Sequence, residues 1–290
     1  MSLKLSNLEK IYWPKEHIAK GEMLQYYAKV AKILLRYAKD RPLVMHRYPN
    51  GIQGQAFYQK DVQDVPPFVK TATIRHANRN VRYIIPQNTQ TLLYIANLGS
   101  IEMHLFHSRI KTLDKPDYMV LDLDPQAISF DAVVEVARAI HKILQKIKIP
   151  HFCKTSGGSG LHIYVPLKGK YSYEESRYYA GVIAKMVHEL LPDITSLERN
   201  PKKRNRKVYL DILQNAQGQL AAAPYSVRAF PNAPVSTPLA WDEVKRGLDP
   251  QDFTIKNVPA RIAKKGDLFK GVLGAAAHLK RLEIDQFPVV

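Results

Sequence analysis

One cysteine in 290 residues, Cys153, rules out an internal disulfide and a cysteine-built zinc centre, and it fits a reducing, cytoplasmic setting. No apolar run reaches the ~20 residues that a membrane span requires, and Met1-Ser2-Leu3-Lys4 does not open a signal peptide. Internal repeats, low-complexity tracts and a convincing linker are all missing, so the expectation is a single domain, 1–290. Acid is scarce: 26 Asp and Glu stand against 43 Lys and Arg, a formal charge of +17. Such a surplus favours a polyanionic partner. Nucleic acid is preferred over a membrane because no long basic amphipathic helix is evident. The 46% apolar content excludes a disordered chain, and the length suffices for a sizeable core.

The few acids are not spread evenly. Asp117-Tyr118-Met119-Val120-Leu121-Asp122-Leu123-Asp124-Pro125 reads as a strand stopped by proline. Alternation puts Tyr118, Val120, Asp122 and Asp124 on one side and Met119, Leu121 and Leu123 on the other. Two carboxylates roughly 7 Å apart on one strand face repel, and a hard divalent cation removes that penalty. Solvated acids paired with the many bases are the competing explanation. A third acid, Asp211, lies inside the apolar strand Val208–Asn215, where an unpaired charge is costly; it calls for a base or a metal.

The remaining pattern alternates helices and short strands. Met23, Tyr27, Val30, Leu34 and Tyr37 predict a helix over Gly21–Lys39. Strands at Leu43–Arg47 and Gln55–Gln59 flank Asn50-Gly51, a turn signal. His46, Arg47, Phe57, Tyr58 and Lys60 cluster on this hairpin and interleave bases with aromatics, which suits stacking on exposed nucleobases or an ordinary amphipathic hairpin. Thr71–Arg82 reads as a basic loop, and Thr89–Leu98 as a short helix. In the strand Ile101–Arg109, Glu102, His104 and Phe106 share a face. Ser129 caps a helix to about Lys148, and Ser172-Tyr173-Glu174-Glu175 is a capping box opening another to Leu191. Between them lie a strand over Ile149–Lys154 and the turn Ser156-Gly157-Gly158-Ser159-Gly160, which can aim backbone N–H groups at one anion or simply make a tight hairpin. The next strand turns His162 away from the apolar row. The basic run Glu198–Lys207 reads as a loop. Ala223–Ala229 predicts a short strand carrying Arg228, Pro231–Pro238 an extended surface segment, and Trp241–Lys245 a short helix; Val258–Lys264 and Gly271–Leu282 read as helical.

Together these segments resemble the polymerase domain of the bacterial and archaeal non-homologous end-joining ligases (ligase D), within the archaeo-eukaryotic primase superfamily. The resemblance runs from Leu5-Ser6-Asn7-Leu8-Glu9-Lys10 through Phe57-Tyr58-Gln59-Lys60, Ala96–His104, Val120–Pro125, Lys154–Leu167, Leu213-Gln214-Asn215 and Ala223–Arg228 to Pro234–Leu239. It implies an α+β fold of antiparallel sheets flanked by helices, with a central catalytic cleft. It also implies template-directed addition of nucleotides to a primer 3′ end. Asp122, Asp124 and Asp211 then correspond to the catalytic, metal-binding acids for two divalent ions, Mn²⁺ or Mg²⁺. His104, Ser156, Gly157, Ser159, His162, Gln214 and Arg228 correspond to nucleotide-binding positions, Gln214 being the sensor of the sugar. Many relatives carry lysine where this chain has Ser159, and Lys154 is one alternative source of that charge.

The same resemblance assigns Lys10, Lys20, Arg47, Phe57, Tyr58, Lys60 and Arg204 to DNA, with Lys10 and Lys20 on a downstream 5′-phosphate. It implies gapped or 3′-overhanging DNA and NTPs or dNTPs as substrates, ribonucleotides preferred, with a separate ligase and a Ku-type end binder as partners and no membrane. Competing functions are a primase that starts chains de novo, a non-catalytic end-binding module and a metal-dependent nuclease. The Lys10/Lys20 pair argues against the first, the three acids against the second, and the glycine–serine turn against the third.

Overall fold

The structure, a computed structural model, describes residues 3–284. Two compact units are each assembled from three segments: among the described residues the first takes 3–111, 220–237 and 251–267, and the second 112–219, 238–250 and 268–284.

The first unit opens with the paired strands β1 (Ile11–Trp13) and β2 (Ile18–Ala19), which lead into α1 (Lys20–Ala38). The predicted stripe of α1, Met23 to Tyr37, is buried. Next come β3 (Leu43–Arg47), β4 (Phe57–Gln59), β5 (Thr71–Arg75), β6 (Asn80–Ile84), α2 (Thr89–Asn97) and β7 (Ser100–Phe106). The second unit contributes β8 (Tyr118–Pro125), α3 (Phe130–Lys146), β9 (Phe152–Thr155), β10 (Leu161–Pro166), α4 (Tyr173–Leu190), β11 (Thr195–Ser196) and β12 (Val208–Asp211). The chain then returns to the first unit as β13 (Leu220–Ala222), to the second as β14 (Pro238–Leu239), to the first as α5 (Val258–Lys265), and ends in the second with α6 (Arg281–Ile284).

Each unit is built on one six-stranded sheet. In the first the order is β13-β7-β3-β6-β5, with β4 also on β3; in the second it is β11-β12-β8-β10-β9-β14. All ladders are antiparallel except β11 with β12. Strand β8 is central in its sheet, and α3 and α4 pack against it, so its apolar run is buried from Tyr118 to Leu123. Cys153 on β9 is fully buried, and burial pushes its thiol up to about 12.

Several segments depart from the periodicity. The basic stretch 71–82 is a hairpin, not a loop: β5 and β6 pair from Thr71 with Ile84 to Arg75 with Asn80. Its β-branched residues favour extended backbone, and Val81 and Tyr83 bury one face while Arg75 and Arg82 stay exposed. Strand β12 stops at Asp211 because its Oδ1 accepts the Leu213 N–H at 2.8 Å and bends the chain into a 3₁₀ turn, Leu213–Asn215. The Asn215 side chain then takes the strand's place beside β8, accepting from Val120 N and donating to Val120 O at 2.8 and 2.7 Å.

Ala223–Ala229 opens as a turn, closed by Ser226 N donating to Ala223 O with Tyr225 in the left-handed region, and its extended part is cut down to a single antiparallel bridge, Val227 with Val235. Val235, Ser236 and Thr237 are fully buried, so 231–238 does not wrap the surface. Trp241–Lys245 makes turns rather than a helix, because Trp241 is anchored by its ring, stacked 4.1 Å from His141, and by its Nε1–H on His151 O. Within 271–282 only Lys270–Leu273, a 3₁₀ turn, and the start of α6 are helical. Ser129 occupies the N-cap position of α3, but its hydroxyl makes no capping bond; the Ser172–Glu175 capping box is present in full. The last six residues of the tail lie outside the described residues.

Candidate metal and nucleotide site

Four strands of the second sheet place one residue each in a single row. Asp211 is opposite Asp122, Asp122 opposite His162, and His162 opposite Lys154. Residues in direct cross-strand register present their side chains on one face, so the row reads acid, acid, imidazole, ammonium. Asp124 lies two residues beyond Asp122 on the same face, and carboxylate oxygens of Asp122, Asp124 and Asp211 all come within 4.8 Å of one another. Asp122 is buried and the other two are half-buried. Three carboxylates this close repel strongly where water is scarce. An all-oxygen acidic set of this kind is the donor chemistry that divalent hard cations select, so the residues present fit such an ion.

The neighbours of Asp211 hold it in place. Besides the Leu213 N–H, the Tyr209 hydroxyl lies 3.5 Å from its Oδ1, and the Arg204 guanidinium stacks 3.7 Å over the Tyr209 ring. Arg204 also donates to the carbonyls of Glu198 and Arg199.

The turn from β9 to β10 is tied from within. Ser156 Oγ accepts the N–H groups of Gly158 and Gly160 at 3.1 and 3.0 Å, and Ser156 N donates to Gly160 O. Those two amides serve the turn itself. Gly157 adopts a positive φ of 77°, and Ser159 is exposed at the tip. Gly160 leaves no room for a side chain: a Cβ there would stand 2.5 Å from Leu123 O and 3.6 Å from Asp124 Oδ1. The turn is therefore pressed directly against the acid-bearing strand. His162 Nε2 is 3.3 Å from Asp122 Oδ1, and Lys154 Nζ is 2.9 Å from His162 Nδ1. Gln214 lies on the 3₁₀ turn after Asp211, and its Oε1 is buried with no hydrogen-bond partner among the described residues.

A second cluster occupies the first unit. Register brings Tyr58, His46 and Glu102 into line across β4, β3 and β7. Glu102 Oε2 meets His46 Nδ1 at 3.0 Å and His104 Nε2 at 2.9 Å, and Oε1 meets Arg228 Nε at 3.1 Å and the Ala229 N–H at 3.0 Å. Burial alone would lift the Glu102 carboxyl, but hydrogen bonds with His104 and His46 and the Arg228 charge outweigh it and hold it well below the usual carboxylate range. Burial pushes the His104 imidazole below the ordinary histidine value, against the pull of Glu102. Two expected nucleotide residues, His104 and Arg228, are thus joined through one carboxylate. Glu102 and Tyr48, whose hydroxyl lies 3.2 Å from His46 Nδ1, had not stood out as site residues, and His46 had stood out only as part of the hairpin cluster. The shared face of Glu102 and His104 was the available signal; the match to His46 required the strand register.

Comparison with known proteins bears on what this arrangement is. The family described as "LigD, primase-polymerase domain" matches residues 19–269, which takes in parts of both units. The chain belongs to the LigD primase-polymerase family. That family is one of nucleotidyltransferases, and the fold is the α+β fold of the archaeo-eukaryotic primases. The bifunctional non-homologous end joining protein LigD of Bacillus subtilis is 34% identical over 267 residues, covering 91% of this chain and 43% of that protein. The multifunctional LigD of Pseudomonas aeruginosa is 29% identical over 263 residues, covering 90% and 31%. This chain therefore spans less than half the length of these relatives. The solved polymerase domain of Mycobacterium tuberculosis ligase D, in complex with DNA, superposes with a TM-score of 0.88 at 29% identity, covering 94% of this chain and 99% of that one.

The positions at which the LigD primase-polymerase resemblance assigns DNA contacts lie in the first unit, Arg204 excepted. Lys10 and Lys20 flank the β1–β2 hairpin, where Lys20 N donates to Lys10 O. Lys10 is exposed, with its Nζ 2.6 Å from Asn50 Oδ1; Lys20 is buried and donates to Ser6 O at 2.8 Å. Burial, then the nearby Lys10 charge, lowers the Lys20 ammonium from its ordinary value. Two cations held together in this way are the arrangement an anion relieves. Phe57 and Tyr58 are 44% and 62% exposed, so the hairpin presents its aromatics to solvent rather than to a core. Tyr58 stacks on His46 with ring centroids 4.0 Å apart, Arg47 lies 5.2 Å over Phe57 and donates to Leu98 O and Gln59 Oε1, and Lys60 is exposed. No helix among the described residues is long and apolar enough to cross a membrane.

Proposed function

We propose that residues 1–290 act as one primase-polymerase domain that adds nucleotides, ribonucleotides by preference, to primer 3′ ends at gaps or overhangs during double-strand-break end joining. The single observation that carries this reading is the convergence of Asp122, Asp124 and Asp211 beside the Ser156–Gly160 turn. Two divalent ions, Mn²⁺ or Mg²⁺, held by those three acids would supply charge neutralisation for a triphosphate and activation of a primer hydroxyl. His162 directs a polar edge toward the same acids, and the turn that carries Ser156, Gly157 and Ser159 is pressed, at Gly160, against the strand bearing Asp124. In the first unit, Glu102 holds His104 and Arg228 as a rigid pair suited to phosphate oxygens.

The orphaned Gln214 Oε1 is an acceptor suited to a ribose 2′-hydroxyl, a group deoxynucleotides lack. Exposed Phe57 and Tyr58 offer stacking surfaces for template bases, with Arg47, Lys60 and Arg204 on phosphates. Lys10 and Lys20 suit a downstream 5′-phosphate, a feature of a gap rather than of chain initiation. The relatives are named as end-joining proteins and a solved neighbour holds DNA, which supports DNA as substrate and a ligase and a Ku-type protein as partners.

The test is extension of a 5′-labelled primer on a gapped duplex with each rNTP or dNTP, in Mg²⁺ or Mn²⁺. Templated extension favouring rNTPs is expected. Absence of extension under every condition would overturn the proposal.

A further inference from the structure

Lys154 is fully buried on β9, in register with His162 on β10. Its Nζ lies 2.9 Å from His162 Nδ1 and 3.5 Å from the Thr155 carbonyl, and 5.7 Å from the centroid of the Tyr164 ring. A buried ammonium is costly unless its protons are placed, and an imidazole lone pair, a carbonyl oxygen and an aromatic face are all acceptors of positive charge. The ammonium itself has three donors and no acceptor, so the nitrogen facing it must be the one without a proton. In a neutral imidazole the single proton then sits on Nε2, 3.3 Å from Asp122 Oδ1.

We propose that Lys154 is a positioning residue: from the neighbouring strand of the same sheet face it fixes the ring orientation and the Nε2–H tautomer of His162. The imidazole thereby always presents a donor, never a lone pair, toward the acids. His162 is accordingly neither a metal ligand through Nε2 nor a proton acceptor there. It is a donor to oxygen, whether of Asp122 or of an incoming phosphate. The cation missing from the turn tip at exposed Ser159 is not replaced by a lysine reaching outward. Its influence comes through the imidazole instead. Only this last consequence, for nucleotide binding, rests on the polymerase reading; the tautomer does not.

The experiment uses the full chain, metal-free and labelled with ¹⁵N-histidine, at one mildly alkaline pH. His162→Gln assigns the resonances by removing them. A bare Nδ1 and a protonated Nε2 are expected in the wild type, with Lys154→Met giving a mixture of tautomers and Lys154→Arg, also donor-only, keeping the wild-type pattern. A protonated Nδ1 in the wild type, whether as the other tautomer or as imidazolium, overturns the proposal, as does a wild-type pattern in Lys154→Met. Should Lys154→Met fail to fold by circular dichroism, the wild-type spectrum still decides. In primer extension, Lys154→Met should raise KM for GTP about tenfold, the loss of one charge-assisted hydrogen bond, with primer–template Kd unchanged. A wild type that extends no primer would sink the polymerase assignment while leaving the tautomer result standing.

Discussion

Asp211 stands directly across an antiparallel ladder from Asp122, two carboxylates in neighbouring strands on one face of a sheet. Like charges so placed destabilise a β-ladder unless something between them is positive. The pair therefore has a purpose other than stability.

Replacing either acid separates that purpose from folding. Asp122→Ala or Asp211→Ala should reduce primer extension at least about a thousandfold, since several kcal/mol of charge stabilisation is lost, while DNA binding stays within about threefold. Thermal stability of Asp122→Ala in chelator should rise or hold steady, because repulsion is relieved, whereas Asp211→Ala also loses the bond from Leu213 N–H and gains less. Persistent extension by either variant would remove the acids from the catalytic role.

Sugar discrimination should depend on Gln214. Its buried Oε1 finds no donor among the described residues, so a 2′-hydroxyl there gains a hydrogen bond without breaking one. Gln214→Ala should cut the GTP-over-dGTP preference by about tenfold, within the range for one such bond, chiefly by lowering GTP use. Single-turnover incorporation opposite a templating cytosine measures it. An unchanged ratio would assign discrimination elsewhere.

The lysine pair on the β1–β2 hairpin should read the downstream end. Lys10→Ala combined with Lys20→Met, which keeps the buried stem, should abolish the preference for a 5′-phosphorylated over an unphosphorylated downstream strand. The salt dependence of binding to the phosphorylated duplex should also weaken, as fewer counterions are released. Electrophoretic mobility shifts at two ionic strengths would show it, and a preference that survives both changes would place the phosphate contact elsewhere.

Acid should loosen the second unit at a defined place. The His151 Nδ1–H donates to Ile149 O at 2.7 Å, leaving its Nε2 to accept from His141 Nδ1 at 2.7 Å. Burial lowers His151 to about 4, with a smaller contribution from the His141 charge. The unfolded chain binds this proton near pH 6.5 and the folded chain does not, so stability falls as pH drops from about 6.5 toward 4. The loss is on the order of 2–3 kcal/mol at the bottom of that window. Urea unfolding across this range should show a flatter pH profile for His151→Gln than for the wild type; identical profiles would exclude His151 as the source.

What could be read from the chain and what could not divide along a physical line. The α1 stripe, the Ser172 capping box and the acid-bearing strand depend on neighbours in sequence, and each lies where the periodicity puts it. Misread segments depend on distant partners. The register of β3 with β7 decides that His46 meets Glu102, and no local pattern contains that information. Asn215 leaves its expected strand because its side chain replaces backbone along β8, and Trp241 gives up a helix for a stack on His141. The site was legible in part for the same reason. Asp122 and Asp124 are two residues apart, whereas the contact of Lys154 with His162 exists only once β9 lies against β10.

Cys153 has a practical consequence. A thiol sealed in the sheet and pushed up to about 12 stays protonated and out of reach of maleimides and iodoacetamides. Chemists wishing to tag this chain can therefore install a new surface cysteine in the native background. The dye or cross-linker will report from the chosen spot alone, with no parental residue to remove first.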